Sequence, residues 1–427
     1  MKIRLKQFFA GAIGMVLVLS AVVFLVPSLR ERVLIKFDET RAQIKYALNP
    51  PEKVVFAPQE QEVAAIVRQT MTALAPTATL TPTPSTPVPT MTPTITPTPL
   101  PGQVKLEGIT FQSQRGMWNY CAPANLSMAL SYWGYEDYIL NIGNWLKPYS
   151  KDKNVMPYEM QAFTEEVAGL KAVVRVGGDL SVLKKFIANG FPVLIEKSEV
   201  LHGEYGPGST GWMGHYMVFN GYDDARSVLI GQDSLSGPDA EFSYDDLERD
   251  WRGFNYIYLV VYPAEKEQQV FDLLGDQQDE TANYEYAALK AANEVLGLSG
   301  RDQFFAYFNR GTNLVALQDY ATAAQMYDEA FAIYPDIPED DRPYRALWYQ
   351  TGPYYAYYHT GRYWDVITLA TTTLDAMSEP MLEESYYWRA RAELALGDTV
   401  GAEKDLRLAL KYHEDFAPAV QMLAEMG

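Results

Sequence analysis

One cysteine, Cys121, and four histidines, His202, His215, His359 and His413, are all the thiol and imidazole that 427 residues contain. An internal disulfide is excluded, and so is a structural zinc finger, which needs more of these ligands at set spacings. Positive charge is also short. Lys and Arg number 35 against 54 Asp and Glu, a formal net of −19, so nucleic-acid phosphates meet no broad cationic surface and no nucleic-acid partner is expected. No Gly-rich Lys-Ser/Thr phosphate loop occurs. What remains is 48% hydrophobic, enough for folded cores, over a length that calls for more than one of them.

Charge and composition divide the chain. Residues 1–60 carry nine Lys/Arg against five Asp/Glu, whereas residues 264–427 carry twelve against twenty-eight. Residues 8–26 carry no charge, with Lys2, Arg4 and Lys6 before them and Pro27 and Arg30 after. As a helix this run reaches roughly 28 Å, close to a bilayer core, and reads as an uncleaved anchor over 8–27. The positive charges beyond the run outnumber those before it, so the positive-inside rule leaves the orientation open. Residues 28–47 read as a short amphipathic helix and 60–74 as another. Between 76 and 101, nine of twenty-six residues are proline and most others threonine. Such a segment builds no core; as polyproline II it would hold a domain on the order of 80 Å from a membrane, which suits an extracytoplasmic stalk.

Beyond Gly102, one helix near 122–133 followed by antiparallel strands near 192–197, 215–222, 227–233 and 255–262 reads as α+β. Cys121 opens that helix. Pro123 suits a first helical turn, and a thiol at that terminus faces free N–H groups and the positive end of the dipole, which enrich the thiolate. His215 starts an alternating apolar strand that turns at Asp223 and Asp224, and the returning strand brings Asp233 back to its level. An imidazole beside the sulfur and a carboxylate fixing its tautomer are what a thiol nucleophile requires. Asp223 and Asp224 read as solvated turn residues. His202, in a glycine-rich loop, reads as a rim residue, and Glu196 as a solvated strand end. Trp251 reads as core, with Asn255 sealing a far wall of the cleft.

Cys121-Ala122-Pro123-Ala124 at a helix start, Gly214-His215-Tyr216 before a strand and Asp233 eighteen residues later resemble the bacteriocin-processing, double-glycine-type cysteine peptidases, family thirty-nine of the papain-like superfamily. The resemblance covers 103–263. It implies a papain-like fold with Cys121 as nucleophile, His215 as general base and Asp233 as its orienter. It also implies a glutamine before the cysteine as oxyanion-hole donor, for which Gln114 is the candidate and Gln112 the alternative. Ala122 stands where glycine is common in the family, and Asp233-Ser234 where Asp-Pro is frequent. No metal or cofactor is implied.

The helical remainder repeats. Tyr307, Gly311 and Leu314, then Tyr320, Ala323, Tyr327, Ala330 and Pro335, follow the thirty-four-residue tetratricopeptide pattern, which this stretch resembles. A degenerate copy surrounds Gly361-Arg362-Tyr363, and a third turns at Leu396-Gly397-Asp398. The aromatic run from Tyr354 to Trp364, with Tyr386 to Trp388, reads as core at helical spacing.

The expected organisation is a cytoplasmic N-terminus at 1–7, the anchor at 8–27, a juxtamembrane helical segment at 28–74, a Thr/Pro linker at 75–102, a papain-like peptidase domain at 103–263, bridging helices at 264–300 and tetratricopeptide repeats at 301–427. The expected protein is a membrane-anchored thiol hydrolase, single-pass, acting on a peptide or protein substrate outside the membrane, with repeats that engage a protein partner. A cell-wall amidase or acyltransferase using the same residues, and a scaffold with a vestigial peptidase domain, are the alternatives.

Overall fold

The computed structural model describes residues 27–58, 99–117, 119–149, 154–202 and 210–427. The expected anchor and the helix at 60–74 lie outside these, as does nearly all of the Thr/Pro segment. Among the described residues no helix is long and apolar enough to cross a membrane.

Among the described residues seven antiparallel strands form one sheet: β1 (Gln103–Lys105), β2 (Lys171–Arg175), β3 (Val193–His202), β4 (Thr210–Asp223), β5 (Val228–Asp233), β6 (Gly237–Ser243) and β7 (Tyr258–Tyr262). Six run in the order β2-β7-β3-β4-β5-β6, and β1 adds to β4. After an N-terminal helix α1 (Pro27–Leu48), the helices of this region are α2 (Cys121–Ser131), α3 (Ile139–Leu146), α4 (Pro157–Glu166), α5 (Leu180–Ala188) and α6 (Tyr244–Arg252). Both faces of the central strands are buried. Leu194, Val218, Leu259 and Val261 meet Leu126, Ala129 and Leu130 of α2 on one side, while Ile195, Phe219 and Val260 meet Leu183, Phe186 and Trp251 on the other. Burial of apolar residues alternating along each strand on both faces fixes the register, because a one-residue slip would exchange the two sets.

The helical region comprises α7 (Glu267–Leu274), α8 (Glu280–Val295), α9 (Gly300–Ala316), α10 (Tyr320–Ile333), a short α11 (Ala346–Tyr349), α12 (Gly352–His359), α13 (Tyr363–Asp375), α14 (Glu383–Ala395), α15 (Thr399–Tyr412) and α16 (Ala417–Met426). The three expected helix pairs are α9/α10, α12/α13 and α14/α15. Gly311 of α9 lies where a Cβ would stand 2.8 Å from the Tyr327 ring of α10, so the small residue sets how closely these helices approach. Tyr354, Tyr357, Tyr386 and Trp388 are buried, whereas Tyr355 and Trp364 are exposed.

Two sets of contacts cross the expected divisions of the chain. The first lies near 263. Trp212 and Phe254 of the sheet domain share a core with Phe304, Phe305 and Phe308 of α9. Trp212 stacks between Phe254 and Phe305, each with ring centroids 5.4 Å away. Asn255, expected at the cleft wall, exchanges hydrogen bonds of 2.7 and 3.1 Å with Asn313. A strand aromatic is buried equally well by a sheet or by a neighbouring domain, so its pattern does not name the partner.

The second ties the N-terminal segment to the helical region. Arg41 of α1 pairs with Glu379 at 2.6 Å, Lys45 donates to the Met377 carbonyl, and Tyr46 accepts from the Ser378 N–H at 3.1 Å. Phe56 is buried with its ring edge-on to Phe331 at 4.9 Å. Pro51, Val54 and Phe56 thus line one groove with residues of the helical region, among them Phe304, Leu347 and Leu369.

Candidate active site

Cys121 is the first residue of α2 and is half-buried. The chain approaches it through a turn in which Gly116 and Asn119 both have positive φ, 85° and 54°, the second on a residue type that tolerates that region. Tyr120, the residue before the nucleophile candidate, is held against Gly143 of α3: a Cβ there would lie 2.3 Å from the Tyr120 ring. Gly143→Ala is therefore expected to destabilise the fold by about 1–3 kcal/mol through overpacking and to slow alkylation of Cys121 by displacing the turn. Thermal unfolding and the labelling rate measure the two effects. Ala122 is helical and buried, so no backbone demand for glycine exists at that position.

His215 and Asp233 come from adjacent strands. Register pairs Val218 with Gln232, and from the next position Asp233 reaches back so that Oδ1 lies 2.7 Å from His215 Nε2. The same oxygen accepts the Leu235 N–H at 2.8 Å. With Nε2 committed to the carboxylate, Nδ1 remains for the sulfur, and the Cys121 side chain hydrogen-bonds the His215 ring. Burial alone would lower the imidazole pKa, but the charge and hydrogen bond of Asp233, and then the sulfur, push it up to about 10. Burial likewise pushes the Cys121 thiol up; the hydrogen bond and charge of His215, with the Tyr216 N–H, outweigh it and leave the thiol below its ordinary value. Asp233 is held well below the usual carboxylate range, its burial being outweighed by His215. Both shifts favour a thiolate beside an imidazolium over the neutral pair.

Gln114 lines the same cleft as Cys121 and His215; Gln112 is not among the residues that line it. The Ser234 hydroxyl donates to Gln114 Oε1 at 2.6 Å, and the Gln114 N–H donates to the Ser234 carbonyl at 3.0 Å. This fixes the amide with Nε2 as its donor end. Asn125, one turn after Cys121 and fully buried, brings Nδ2 to 2.7 Å from the Tyr216 carbonyl and 2.9 Å from the Ser234 hydroxyl. It ties helix, histidine strand and glutamine clamp together. The sequence carries the signal, a lone amide at i+4 on an apolar helical face, but sequence reasoning passed over it. Ser234 does more than replace the proline frequent in the family: its hydroxyl is the clamp itself.

Asp223 and Asp224 lie at the far turn as expected, paired with Arg226 at 2.9 Å and Lys184 at 2.5 Å. His202 ends β3, and its side chain lies outside the described ones. Trp251 is core, its indole N–H donating to the Ile257 carbonyl at 2.7 Å. Glu196 corrects its expectation: β3 runs on to His202, so Glu196 is mid-strand, buried, and lines the cleft. Tyr349 of α11 also lines it, a contribution of the helical region that no repeat pattern announces.

Residues 106–259 match the family model described as the Peptidase_C39 like family. The match covers the sheet domain and leaves the helical region outside. A crystal structure of a C39-like peptidase from Bacillus anthracis is 18% identical, covering 37% of this chain and 96% of its own, at a TM-score of 0.29. The peptidase domain of Streptococcus ComA, a bifunctional ABC transporter involved in a quorum-sensing pathway, is 17% identical over 34% of this chain and 92% of its own, at a TM-score of 0.26. No curated protein matches. Residues 106–259 are thus similar to C39-like peptidases, and a helical region follows them.

Proposed function

We propose that the protein is a papain-like cysteine peptidase in which Cys121 is the nucleophile, His215 the acid and base, Asp233 the residue that orients His215, and Gln114 an oxyanion donor. The observation that carries this reading is the His215 ring held at 2.7 Å by a buried Asp233 while its other nitrogen meets the Cys121 sulfur. The thiolate attacks a substrate carbonyl carbon, and the oxyanion is met by Gln114 Nε2 and the Cys121 N–H. The C–N bond then breaks as His215 passes its Nδ1 proton to the leaving amine, which leaves a thioester on Cys121. Water attacks that carbonyl as His215 takes its proton, the C–S bond breaks, and acid and thiol separate. Neither step calls for a metal or cofactor.

The same reading has residues 8–26 as a membrane anchor with the hydrolase on the extracytoplasmic side, and the helix pairs as tetratricopeptide units that engage a protein partner. Its test is covalent labelling of the full chain by a peptidyl electrophile, compared with Cys121→Ala. Labelling and peptide hydrolysis are both expected to vanish in the variant; equal labelling of the two proteins would reject the nucleophile.

A further inference from the structure

The proposed chemistry leaves one end of the cleft unused. Glu196 lies directly across from Tyr216 in the β3–β4 ladder, is 6% exposed, and lines the same cavity as Cys121. Its floor at this end is the backbone of Gly214, where a Cβ would stand 2.6 Å from the Phe254 ring, 3.0 Å from Glu196 Oε1 and 3.1 Å from the Tyr349 ring. Three elements therefore converge on one glycine, and a side chain there would close the space. Met213 supplies an apolar wall.

The Tyr216 hydroxyl reaches both the Val155 carbonyl, at 2.9 Å, and the Glu196 carboxyl, and the second contact favours the ionised acid. Burial keeps this acid well above the ordinary carboxylate range. His215 already has its own carboxylate, and Glu196 is the only carboxyl lining the cleft among the described residues. A buried acid of this kind ionises when a cation arrives to compensate it, and the Tyr349 ring adds a favourable face for such a group.

We propose that this end of the cleft is a specificity subsite for a positively charged substrate group, a lysine or arginine side chain, recognised by Glu196 and walled by Tyr349 from the helical region. The proposal rests on Cys121 as nucleophile. The test uses the full chain and peptidyl acyloxymethyl ketones that differ only in carrying lysine, norleucine or glutamate at the residue nearest the electrophile, or at the one before it. The rate of Cys121 alkylation by each is divided by the rate with iodoacetamide, which removes differences in thiol reactivity. The lysine probe is expected to react about ten- to one-hundred-fold faster than the norleucine probe at one of the two positions, the range of a charge-assisted hydrogen bond. Glu196→Gln is expected to bring the pair within about threefold, and Met213→Lys, which places a fixed cation at the same end, to favour the glutamate probe. Equal normalised rates for lysine and norleucine at both positions in the unaltered protein overturn the subsite, as does a lysine preference that survives Glu196→Gln. Absence of alkylation by every peptidyl probe overturns the nucleophile reading.

Discussion

Asp233→Asn is expected to lower kcat/KM on a peptide substrate by about three to four orders of magnitude while leaving the fold intact, as loss of the orienting carboxylate does in other triads. The geometry explains the size. Oδ1 accepts both the His215 Nε2–H at 2.7 Å and the Leu235 N–H at 2.8 Å; an amide oxygen in the same place could accept both, but it carries no charge to set against the imidazolium. The carboxylate is also what supports the charge on a ring that is otherwise buried and would be neutral. Asp223→Asn should change kcat/KM by no more than about twofold, the ordinary range for exposed positions, since Asp223 belongs to an exposed turn and pairs with Arg226. Steady-state kinetics on the two variants, with circular dichroism as the control for folding, decide the matter. Equal and modest losses would mean that the imidazole is positioned by something else.

The second large effect concerns the thiol. His215→Ala removes the hydrogen bond and the charge that together outweigh burial at Cys121, and burial alone raises a thiol. The Cys121 pKa should then rise to about 8.5 or beyond, the value of a free cysteine. At pH 6 a thiol of that pKa is roughly 0.3% thiolate, so the alkylation rate in the variant should be lower by about two orders of magnitude or more. Near pH 9.5 the difference should nearly close. In the unaltered protein the thiol lies below its ordinary value, and hydrolysis should fall at alkaline pH as His215 loses its proton near 10, because a neutral imidazole has no proton for the leaving amine. A pH series of iodoacetamide labelling measures the first effect. A variant profile that overlays the unaltered one would separate His215 from the thiol.

The proposed catalytic residues were legible because each sits on a local signal. Cys121 precedes an apolar helical face with a proline in its first turn, His215 opens an alternating strand, and a short hairpin returns Asp233. Those features depend on neighbours within about twenty residues, and the structure preserves them. Gln114 was legible only through resemblance; what holds it, the Ser234 hydroxyl, comes from 120 residues away. Glu196 was misread because a charged residue after an apolar run looks like a strand end, whereas the strand continues through Lys197 and Ser198, both buried. Tyr349 was not legible at all. It lies in an irregular stretch between two helix pairs, with no periodicity to indicate that it reaches Gly214. The Trp212 contact was hidden for a related reason: hydrophobicity records that a ring is buried and is silent about what buries it.

The docking of residues 27–58 onto the helical region sets where load enters the fold. Residues 58 and 99 both lead into one folded body, through Phe56 on one side and Tyr222, whose hydroxyl donates to the Pro101 carbonyl at 2.7 Å, on the other. A pull applied at Pro27 therefore passes into Glu379, Met377 and Phe331 through α1 and Phe56, and it reaches the sheet through the core that Trp212 and Phe254 share with α9.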